Sequence, residues 1–265
     1  MNLIFCLVLL ILAISSEEKP VQFNGYPEEN RNVKSPFSRK LFQGDILIDP
    51  RVVSNAAGRK RGLTKTGIWP NGIIPYTIDT SFSQAHKNMI LSAMQDWENG
   101  TCLSFVPFTN ENVYVKIAGM TGFGCSAFVG YKDVSLFPPE YIPFGLPMSL
   151  EPDVCMSQRV VRHELGHVIG FWHEHSRPDR DNYVNIIPEN ILPGRYPDFA
   201  KQPSAMIDSL GSPYDLKSIM HYGPKTFSSN GDDTIEAIDP NETLQDNEEI
   251  SFLDKQQVNQ LYNCP

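Results

Sequence analysis

The sequence predicts an α+β protein whose main part is one domain of catalytic size. Several short runs rich in Ile, Val, Tyr and Phe have the length of strands, whereas only three segments have the periodicity of helices. The chain has 265 residues, and 41% of them are hydrophobic, which is enough to bury one core of ordinary size. We find no internal repeat and no low-complexity tract, and nothing in the composition suggests a fibrous or disordered protein.

The N-terminal stretch "MNLIFCLVLLILAIS" predicts a secretory signal peptide over residues 1–15. The apolar run from Leu3 to Ile14 is too short to span a bilayer, and Ala13-Ile14-Ser15 suits cleavage by signal peptidase. No Lys or Arg precedes the run, and no second apolar run of membrane length follows it. We therefore expect a secreted, extracellular protein with no membrane span.

Residues 16–61 predict a pro-segment that an activating protease removes. They are polar and carry a net charge of +3, whereas the remainder of the chain carries −12. The segment closes on the basic run "GRKRG" at 58–62, which is typical of a processing site, although a flexible surface loop is the alternative. The acidic remainder, which includes the domain over 62–265, disfavours nucleic acid and anionic membrane as partners.

Strands and helices follow in order within 62–265. "GIIPYTID" predicts a strand, and "SQAHKNMILSAMQDWENG" predicts a helix that begins at the capping residue Ser83. One face of this helix is apolar and is expected in the core: Met89, Ile90, Ala93, Met94 and Trp97. "SFVPF", "NVYVKIAG" and "CSAFVG" predict short strands, and a second helix is predicted from about Ser157 to Gly170. Beyond it the chain is rich in Pro, Gly, Asn and Asp until a last helix near "LDKQQVNQLY".

Four cysteines remain once the signal peptide is removed with Cys6: Cys102, Cys125, Cys155 and Cys264. An even number in an oxidising compartment predicts two disulfides, for which three pairings are possible. A zinc site built from cysteines is the weaker alternative, because no two of them are spaced as CxxC.

The stretch "HELGHVIGFWHEH", His163 to His175, holds four of the six histidines of the chain. On a helix, His163 and His167 lie one turn apart on the same face and can direct two imidazoles at one zinc ion. Glu164 lies about 100° around the helix, where it is poorly placed as a ligand but can accept a proton from water held on the metal. The spacing therefore predicts a zinc site with an adjacent base.

A third ligand is predicted at His173. A straight helix would carry it away from the ion, but Gly170 can adopt a positive φ, end the helix and let the chain turn back. Histidines that only cap or pack the helix are the alternative. His175 and His86 lie outside the pattern HExxHxxGxxH, and we expect both to be structural.

Together with a methionine turn further along the chain, this pattern resembles the metzincins. Two longer segments, "HELGHVIGFWHEHSRPDRD" and "SIMHYGPKTFS", resemble the astacin family in particular. Four more are similar to landmarks of that family, so the resemblance extends from Trp69 to Cys264: "WPNGIIPYTI", "AMQDWENGTC", "CSAFVG" and "NQLYNC". The stretch "LQDNEEISFLDKQQV" departs from the family pattern, because it lacks the expected Gln-Arg element.

The resemblance implies a two-lobed metzincin catalytic domain. A twisted mixed sheet and the zinc helix would form the N-terminal lobe, and the C-terminal lobe would be mostly irregular and end in a helix. The family binds one Zn²⁺ per catalytic domain, and the matching ligands are His163, His167 and His173. Glu164 matches the general base.

Two residues of "SIMHY" match further parts of the family's site. Met220 would form the apolar floor beneath the metal. Tyr222 matches a tyrosine that can coordinate zinc at rest and swing away to hydrogen-bond the oxyanion. Glu174 matches a glutamate that meets the newly freed amino terminus.

Latency is implied by "FQGDI", Phe42 to Ile46, which resembles the family's aspartate switch. The carboxylate of Asp45 would occupy the open position on zinc that catalysis requires. Activation would follow cleavage between about Ser54 and Gly62. The basic run favours a cut after Arg61, while Asn55-Ala56 resembles the start of some mature members.

The family also implies how the cysteines pair and where the substrate binds. Disulfides would join Cys102 with Cys264 and Cys125 with Cys155. The edge strand would pair with the backbone of a protein or peptide substrate, as extended peptides do on free sheet edges; it comprises Cys125, Ser126, Ala127 and Phe128.

We therefore expect a secreted zinc-dependent endopeptidase, made as a zymogen, that hydrolyses peptide bonds with a zinc-bound water activated by Glu164. A zinc-stabilised binding protein without catalysis and a metallohydrolase acting on a non-peptide substrate are the alternatives. Asn99 and Asn241 lie in glycosylation acceptor patterns, and Asn241 is favoured because Asn99 lies at a helix end near a cysteine. No EGF-like or CUB module is expected after Cys264.

Overall fold

The computed structural model describes residues 41–47, 67–132, 145–204 and 207–265. The predicted signal peptide, most of the predicted pro-segment and the basic run at 58–61 lie outside these ranges. The described residues form three α-helices: α1 (Gln84–Glu98), α2 (Gln158–Ile169) and α3 (Phe252–Tyr262). They also form eight strands: β1 (Ile46–Leu47), β2 (Ile73–Ile78), β3 (Ser104–Pro107), β4 (Val115–Ala118), β5 (Cys125–Phe128), β6 (Leu146–Leu150), β7 (Val184–Ile186) and β8 (Ile235–Ala237).

Six of the strands form one mixed sheet in the order β1-β5-β6-β4-β2-β3. Only β5 and β6 pair antiparallel in this sheet, and the other neighbours are parallel. Strand β6 was not predicted, because "LPMSL" is short and contains Pro147, which weakens the strand signal. The sheet is mixed as expected, and β5 would form its edge if β1 were absent.

The first hydrophobic cluster lies between this sheet and helices α1 and α2. Ser83 caps α1 as predicted, accepting a hydrogen bond from the backbone N–H of His86 at 3.2 Å. Met89, on the predicted apolar face of α1, is half-buried and packs at the margin of the cluster. The other residues of that face are buried within the cluster: Ile90, Ala93, Met94 and Trp97. Burial of this face fixes α1 against α2, the helix that carries the histidine motif.

A second, smaller cluster lies in the C-terminal part of the chain. Most of that part is irregular, with short 3₁₀ turns and a two-stranded antiparallel sheet of β7 and β8. Its buried members are Val184, Ile191, Phe199, Tyr214, Tyr222, Phe227, Ile235 and Leu244. Met220 belongs to the first cluster, whereas Tyr222 belongs to the second, so the chain passes between the two lobes at this turn.

Two disulfides tie the chain together, and both join the cysteines that the resemblance pairs. Cys102–Cys264 links the residues after α1 to the end of the chain, and Cys125–Cys155 links the start of β5 to the segment before α2. Of the helices in the described ranges, none is long and apolar enough to cross a bilayer.

Candidate metal centre

Helix α2 has defined ends that place its two histidines. Ser157 caps the N-terminus by accepting a hydrogen bond from the N–H of Val160 at 3.2 Å. At the other end, Gly170 has φ of 133°, and its N–H bonds to the carbonyls of Gly166 and His167 at 3.1 and 2.9 Å. A residue with a Cβ is strained at that φ, so the glycine of the motif is what lets the chain leave the helix.

The last carbonyls of α2 would be orphaned without partners from elsewhere. Trp69 Nε1 donates to the carbonyl of Val168 at 2.8 Å, and the hydroxyl of Tyr262 donates to that of Ile169 at 2.6 Å. The N–H of Gly130, just beyond β5, donates to the carbonyl of His167 at 2.8 Å. The zinc-motif helix is therefore held at its C-terminal end by three separate parts of the chain.

The structure brings His163, His167 and His173 together around the carboxylate of Asp45. The Nε2 atoms of His163 and His173 lie 3.2 and 3.0 Å from Asp45 Oδ2, and Nε2 of His167 lies 3.6 Å from Oδ1. The four donor atoms lie within 4.8 Å of one another, and all four side chains are buried. Residues separated by up to 128 positions thus converge on one point.

The opposite ring nitrogen of each histidine has an acceptor of its own, which fixes the tautomer. Nδ1 of His163 lies 2.8 Å from the carbonyl of Ile219, and Nδ1 of His167 lies 2.8 Å from that of Phe171. For His173 the acceptor is the side-chain Oε1 of Gln43 at 3.0 Å. Because each Nδ1 donates, each Nε2 presents its lone pair to the centre of the cluster.

A cation fits this arrangement. Three imidazole lone pairs and a carboxylate are all electron donors, and at these distances they repel one another unless a positive ion lies between them. His167 Nε2 and Asp45 Oδ1 are buried without a hydrogen-bond partner, as expected of atoms directed at a metal. Burial lowers the pKa of His173 to about 4, so its ring is neutral and able to ligate. Three nitrogens and one oxygen form a donor set typical of zinc.

Glu164 lies beside the cluster but outside the donor set. Its side chain is fully buried, and both carboxylate oxygens lack a hydrogen-bond partner. Burial raises its pKa well above the usual value, and the negative charge of Asp45 adds to this effect. A carboxylate of this kind is able to take up a proton from a neighbouring group.

Met220 packs directly under α2. A Cβ added to Gly166 would lie only 2.4 Å from the sulfur of Met220 and 3.2 Å from the ring of Trp97. The glycine inside "HELGH" is therefore required for the close approach of the methionine turn to the helix. Sequence reasoning placed Met220 below the metal but did not identify this role of Gly166.

Tyr222 lies on the side of the cluster formed by His173. Their ring centroids are 4.7 Å apart, and the hydroxyl of Tyr222 donates to the backbone carbonyl of Gln43 at 2.5 Å. The other face of the tyrosine packs on His175, with centroids 3.8 Å apart. His175 thus supports Tyr222, while His86 lies in the first turn of α1, away from the cluster.

A tight turn presents Asp45 to the histidines. Phe42 and Ile46 exchange two backbone hydrogen bonds of 2.9 and 3.0 Å, and Gln43 and Gly44 both have positive φ, 50° and 88°. A Cβ on Gly44 would lie 2.8 Å from the ring of Phe227. Position 44 therefore requires glycine, both because its φ is positive and because the ring of Phe227 leaves no room for a Cβ. Only with glycine there can the turn place Asp45 in the cleft.

The segment Phe42–Leu47 fills the cleft on both sides of this turn. The ring of Phe42 meets that of Trp172 edge to face at a centroid distance of 5.9 Å. On the other side, β1 pairs parallel with β5, with Ile46 opposite Ala127, and the N–H of Ala127 donates to the carbonyl of Asp45 at 3.0 Å. The strand expected to pair with substrate therefore pairs here with residues of the chain itself.

Glu174 lies next to a small cavity. Its Oε1 accepts hydrogen bonds from Arg177 at 3.0 Å and from the N–H of Asp215 at 2.9 Å. Burial raises its pKa to about 8, against the opposing charge of Arg177. The cavity of about 80 Å³ is also lined by Gly67, the first described residue after position 66, and by Gln257, whose Nε2 has no hydrogen-bond partner.

Gln43, in the same turn as Asp45, was not predicted as a site residue from the sequence. Gln43 is 1% exposed, and three of its polar atoms bond within the cleft: Oε1 to His173, the backbone carbonyl to Tyr222, and Nε2 to the carbonyl of Ala200 at 2.9 Å. A glutamine two residues before Asp45, inside a turn, was the available signal in the sequence.

Comparisons with known proteins agree with this geometry. The family model Astacin, which describes a peptidase family, matches residues 62–263. Zinc metalloproteinase nas-14 of Caenorhabditis elegans is 38% identical over 198 residues, which cover 74% of this chain and 37% of that protein. Human Tolloid-like protein 1 is 36% identical over 251 residues, which cover 93% of this chain and 21% of that protein. The chain therefore matches only a minor part of the length of these two relatives.

Two further proteins match over most of their own length. Zinc metalloproteinase nas-6 of C. elegans is 34% identical, with 99% of this chain and 75% of that protein covered. High choriolytic enzyme 1, a hatching enzyme zinc-protease from the medaka Oryzias latipes, has a solved structure with a TM-score of 0.65 and 34% identity. That match covers 75% of this chain and 94% of the other. The chain belongs to the astacin family of zinc metalloendopeptidases.

Proposed function

We propose that this chain is a secreted zinc-dependent endopeptidase made as a zymogen. The observation that carries the proposal is the buried cluster of three histidines and Asp45, with an unpartnered Glu164 beside it. The carboxylate that closes the cluster comes from the proposed pro-segment, while the other parts of the site come from the domain matched by the family model. Both a metal site and the means of keeping it silent are thus supported.

The three histidines His163, His167 and His173 would hold the zinc ion. Bound zinc supplies Lewis acidity, which polarises the scissile carbonyl and makes a coordinated water more acidic. Glu164 would accept the proton of the attacking water and pass it to the leaving amine, a role for which its buried and unpartnered carboxylate is suited.

Tyr222 would donate its hydroxyl to the oxyanion of the tetrahedral intermediate. Its ring packs on His175 and on aromatic side chains of the second hydrophobic cluster, and its hydroxyl reaches Gln43, two residues before Asp45. A donor fixed before the reaction costs no reorganisation when charge develops on the oxygen. Its present bond to Gln43 would keep it from that task until the proposed pro-segment leaves.

The substrate would be an extended protein or peptide chain that pairs with β5. Ile46 and Leu47 already pair with this strand through their backbone. This pairing supports β5, from Cys125 to Phe128, as an edge on which the backbone of a substrate can dock. Backbone pairing supplies affinity with little dependence on sequence, so side-chain pockets would set the specificity.

Latency would depend on the whole Phe42–Leu47 segment. Asp45 takes the place required by water, Gln43 engages His173 and Tyr222, and β1 covers the docking edge. An activating protease would cut after Arg61, or further upstream so that the mature chain starts at Asn55-Ala56. From Gly62 to Gly67 the chain can span about 17 Å when extended, so a new amino terminus can reach the cavity beside Glu174.

Secretion and glycosylation complete the proposal. The two disulfides fit an oxidising compartment, in agreement with a signal peptide over 1–15. Asn99 and Asn241 are both exposed, and we propose Asn241 as the better acceptor. Asn99 ends α1 three residues before the Cys102 disulfide, where folding competes with modification.

The test is cleavage of denatured casein by the chain after activation. We expect hydrolysis that a chelator abolishes and that added Zn²⁺ restores. A processed chain that binds zinc but cleaves neither casein nor gelatin would contradict the proposal and favour a binding protein. Chain length before and after activation, measured by mass spectrometry, controls for incomplete processing.

A further inference from the structure

Helix α3 begins with a buried carboxylate that contacts the turn between the two lobes. Asp254 is fully buried. Its Oδ1 accepts a hydrogen bond from the hydroxyl of Ser218 at 2.6 Å, and its Oδ2 accepts from the N–H groups of Ile219 and Ser251 at 2.9 and 3.0 Å. Two of these three donors belong to the turn that carries Met220, and only one belongs to α3 itself.

These bonds continue to the metal ligand His163. The Ser218 oxygen, which donates to Asp254, accepts a hydrogen bond from the N–H of Met220 at 3.0 Å. That N–H lies in the same planar peptide unit as the carbonyl of Ile219, so fixing one fixes the direction of the other. The carbonyl of Ile219 is the acceptor for Nδ1 of His163 at 2.8 Å.

Helix capping alone does not account for this arrangement. Asp254 and Ser251 form a capping box, in which the Ser251 hydroxyl accepts from the Asp254 N–H and Asp254 Oδ2 accepts from the Ser251 N–H. One carboxylate oxygen is sufficient for that box. The other acceptor positions of the Asp254 carboxylate take the hydrogen bonds from Ser218 and Ile219. Such donors are required to compensate the cost of burying the carboxylate charge.

The charge state of Asp254 is consistent with three accepted hydrogen bonds. Burial raises its pKa to about 6, while the bonds from Ser218, Ile219 and Ser251 act to lower it. The carboxyl is therefore ionised at neutral pH and accepts from all three donors. Asn247 holds the same turn from another side, donating to the carbonyls of Leu216 and Ser218 at 2.9 and 3.0 Å.

We propose that Asp254 is a positioning residue that orients the metal ligand His163 through Ser218 and the Ile219–Met220 peptide. Loss of this support would let the peptide rotate, and the Nε2 lone pair of His163 would then point away from the metal. The proposal rests on the proposed zinc peptidase function for its effect on catalysis, but its effect on the metal site can be measured without turnover.

Two serines that contact Asp254 provide a matched pair of variants. Ser218→Ala removes the hydroxyl between Asp254 and the Met220 N–H, whereas Ser251→Ala removes the hydroxyl that caps α3. Each change deletes one hydroxyl that contacts Asp254. The Ser251 hydroxyl also donates to Asp215 Oδ2, but only the Ser218 oxygen accepts from the Met220 N–H, whose peptide unit carries the acceptor of His163. We would measure the visible absorption bands of the Co²⁺-substituted full chain and the zinc dissociation constant by competition with a chelator.

We expect Ser218→Ala and Asp254→Ala to shift the Co²⁺ bands and to raise the zinc dissociation constant about tenfold, as loss of support behind a metal ligand does elsewhere. Ser251→Ala should leave both unchanged while lowering the melting temperature. Asp254→Asn, which keeps one acceptor oxygen and the shape of the side chain, should restore the dissociation constant part of the way.

Identical Co²⁺ spectra and zinc affinities in Ser218→Ala and Ser251→Ala would overturn the proposal and leave Asp254 a structural residue. If Asp254→Ala does not fold, the two serine variants still decide. A wild-type chain that binds Co²⁺ but does not cleave casein after processing would contradict the proposed function alone, because the comparison of spectra does not depend on activity.

Discussion

The two sides of the histidine cluster are held by different parts of the chain. On one side, His163 and His167 bond to the carbonyls of Ile219 and Phe171, which lie in the domain matched by the family model. On the other side, His173 bonds to Gln43, outside that match, and Tyr222 bonds to the same residue. The first side is complete without residues 42–47, and the second side is not.

Under the proposed latency, this difference would allow one segment to silence the site in more than one way. Removal of residues 42–47 would take away the carboxylate among the histidines, the partner of His173 and the partner of Tyr222 together. The side formed by His163 and His167 would keep its geometry, because its hydrogen-bond partners remain. The side formed by His173 and Tyr222 would rearrange against it. The proposed activation therefore changes His173 and Tyr222 much more than His163 and His167.

The largest effect is expected from Glu164→Gln, which leaves both sides of the cluster intact. The amide cannot accept a proton, so kcat of the processed enzyme should fall by about 10³-fold or more while zinc stays bound. Metal content by atomic absorption is the control for the site. Near-normal turnover with metal present would show that another residue is the base.

Tyr222→Phe changes the side of the cluster that Gln43 contacts, and it should have the next largest effect. Loss of an oxyanion donor costs about 3 kcal/mol, so kcat should fall by about 10²-fold with KM little changed. Tyr262→Phe is the matched control, because it removes a half-buried tyrosine hydroxyl whose partner is the carbonyl of Ile169, at the C-terminal end of α2, rather than Gln43. A change confined to KM in Tyr222→Phe would contradict the proposed role.

A smaller effect is expected from Gln43→Asn in the uncleaved chain. Asparagine tolerates the positive φ of 50° at this position, but its shorter side chain cannot reach both His173 and Ala200. Loss of one or two neutral hydrogen bonds corresponds to about 1–2 kcal/mol, so residual activity before cleavage should rise roughly five- to thirtyfold. Gln43→Gly should behave in the same way, and unchanged latency in both variants would limit the switch to Asp45.

The parts of the site that follow from local spacing could be predicted from the sequence. His163, His167 and Gly170 are related by helix geometry, and the structure places them as that geometry requires. The general position of β5 and the cap at Ser83 were predicted for the same reason, since strand length and capping are local signals.

Contacts between distant segments could not be predicted. Gln43 and His173 are 130 residues apart, and Ser218 and Asp254 are 36 apart, with no periodicity that relates either pair. Gly166 within the motif is explained by the sulfur of Met220 and, less closely, by the ring of Trp97, both of which reach it from other segments. The family resemblance supplied Asp45, Met220 and Tyr222, but the bonds that hold them depend on tertiary packing.

Peptidase activity of the uncleaved chain, with and without Asp45→Ala, tests the account most directly. Each protein would be checked for intact length by mass spectrometry, and the processed forms of both would be measured alongside. Loss of a charged group from the cluster is worth about 1.5–3 kcal/mol, so uncleaved Asp45→Ala should be about 10- to 100-fold more active than uncleaved wild type. The two processed enzymes should be equally active. Equal activity of the two uncleaved proteins would contradict the account, because the carboxylate among the histidines would then have no part in keeping the enzyme silent.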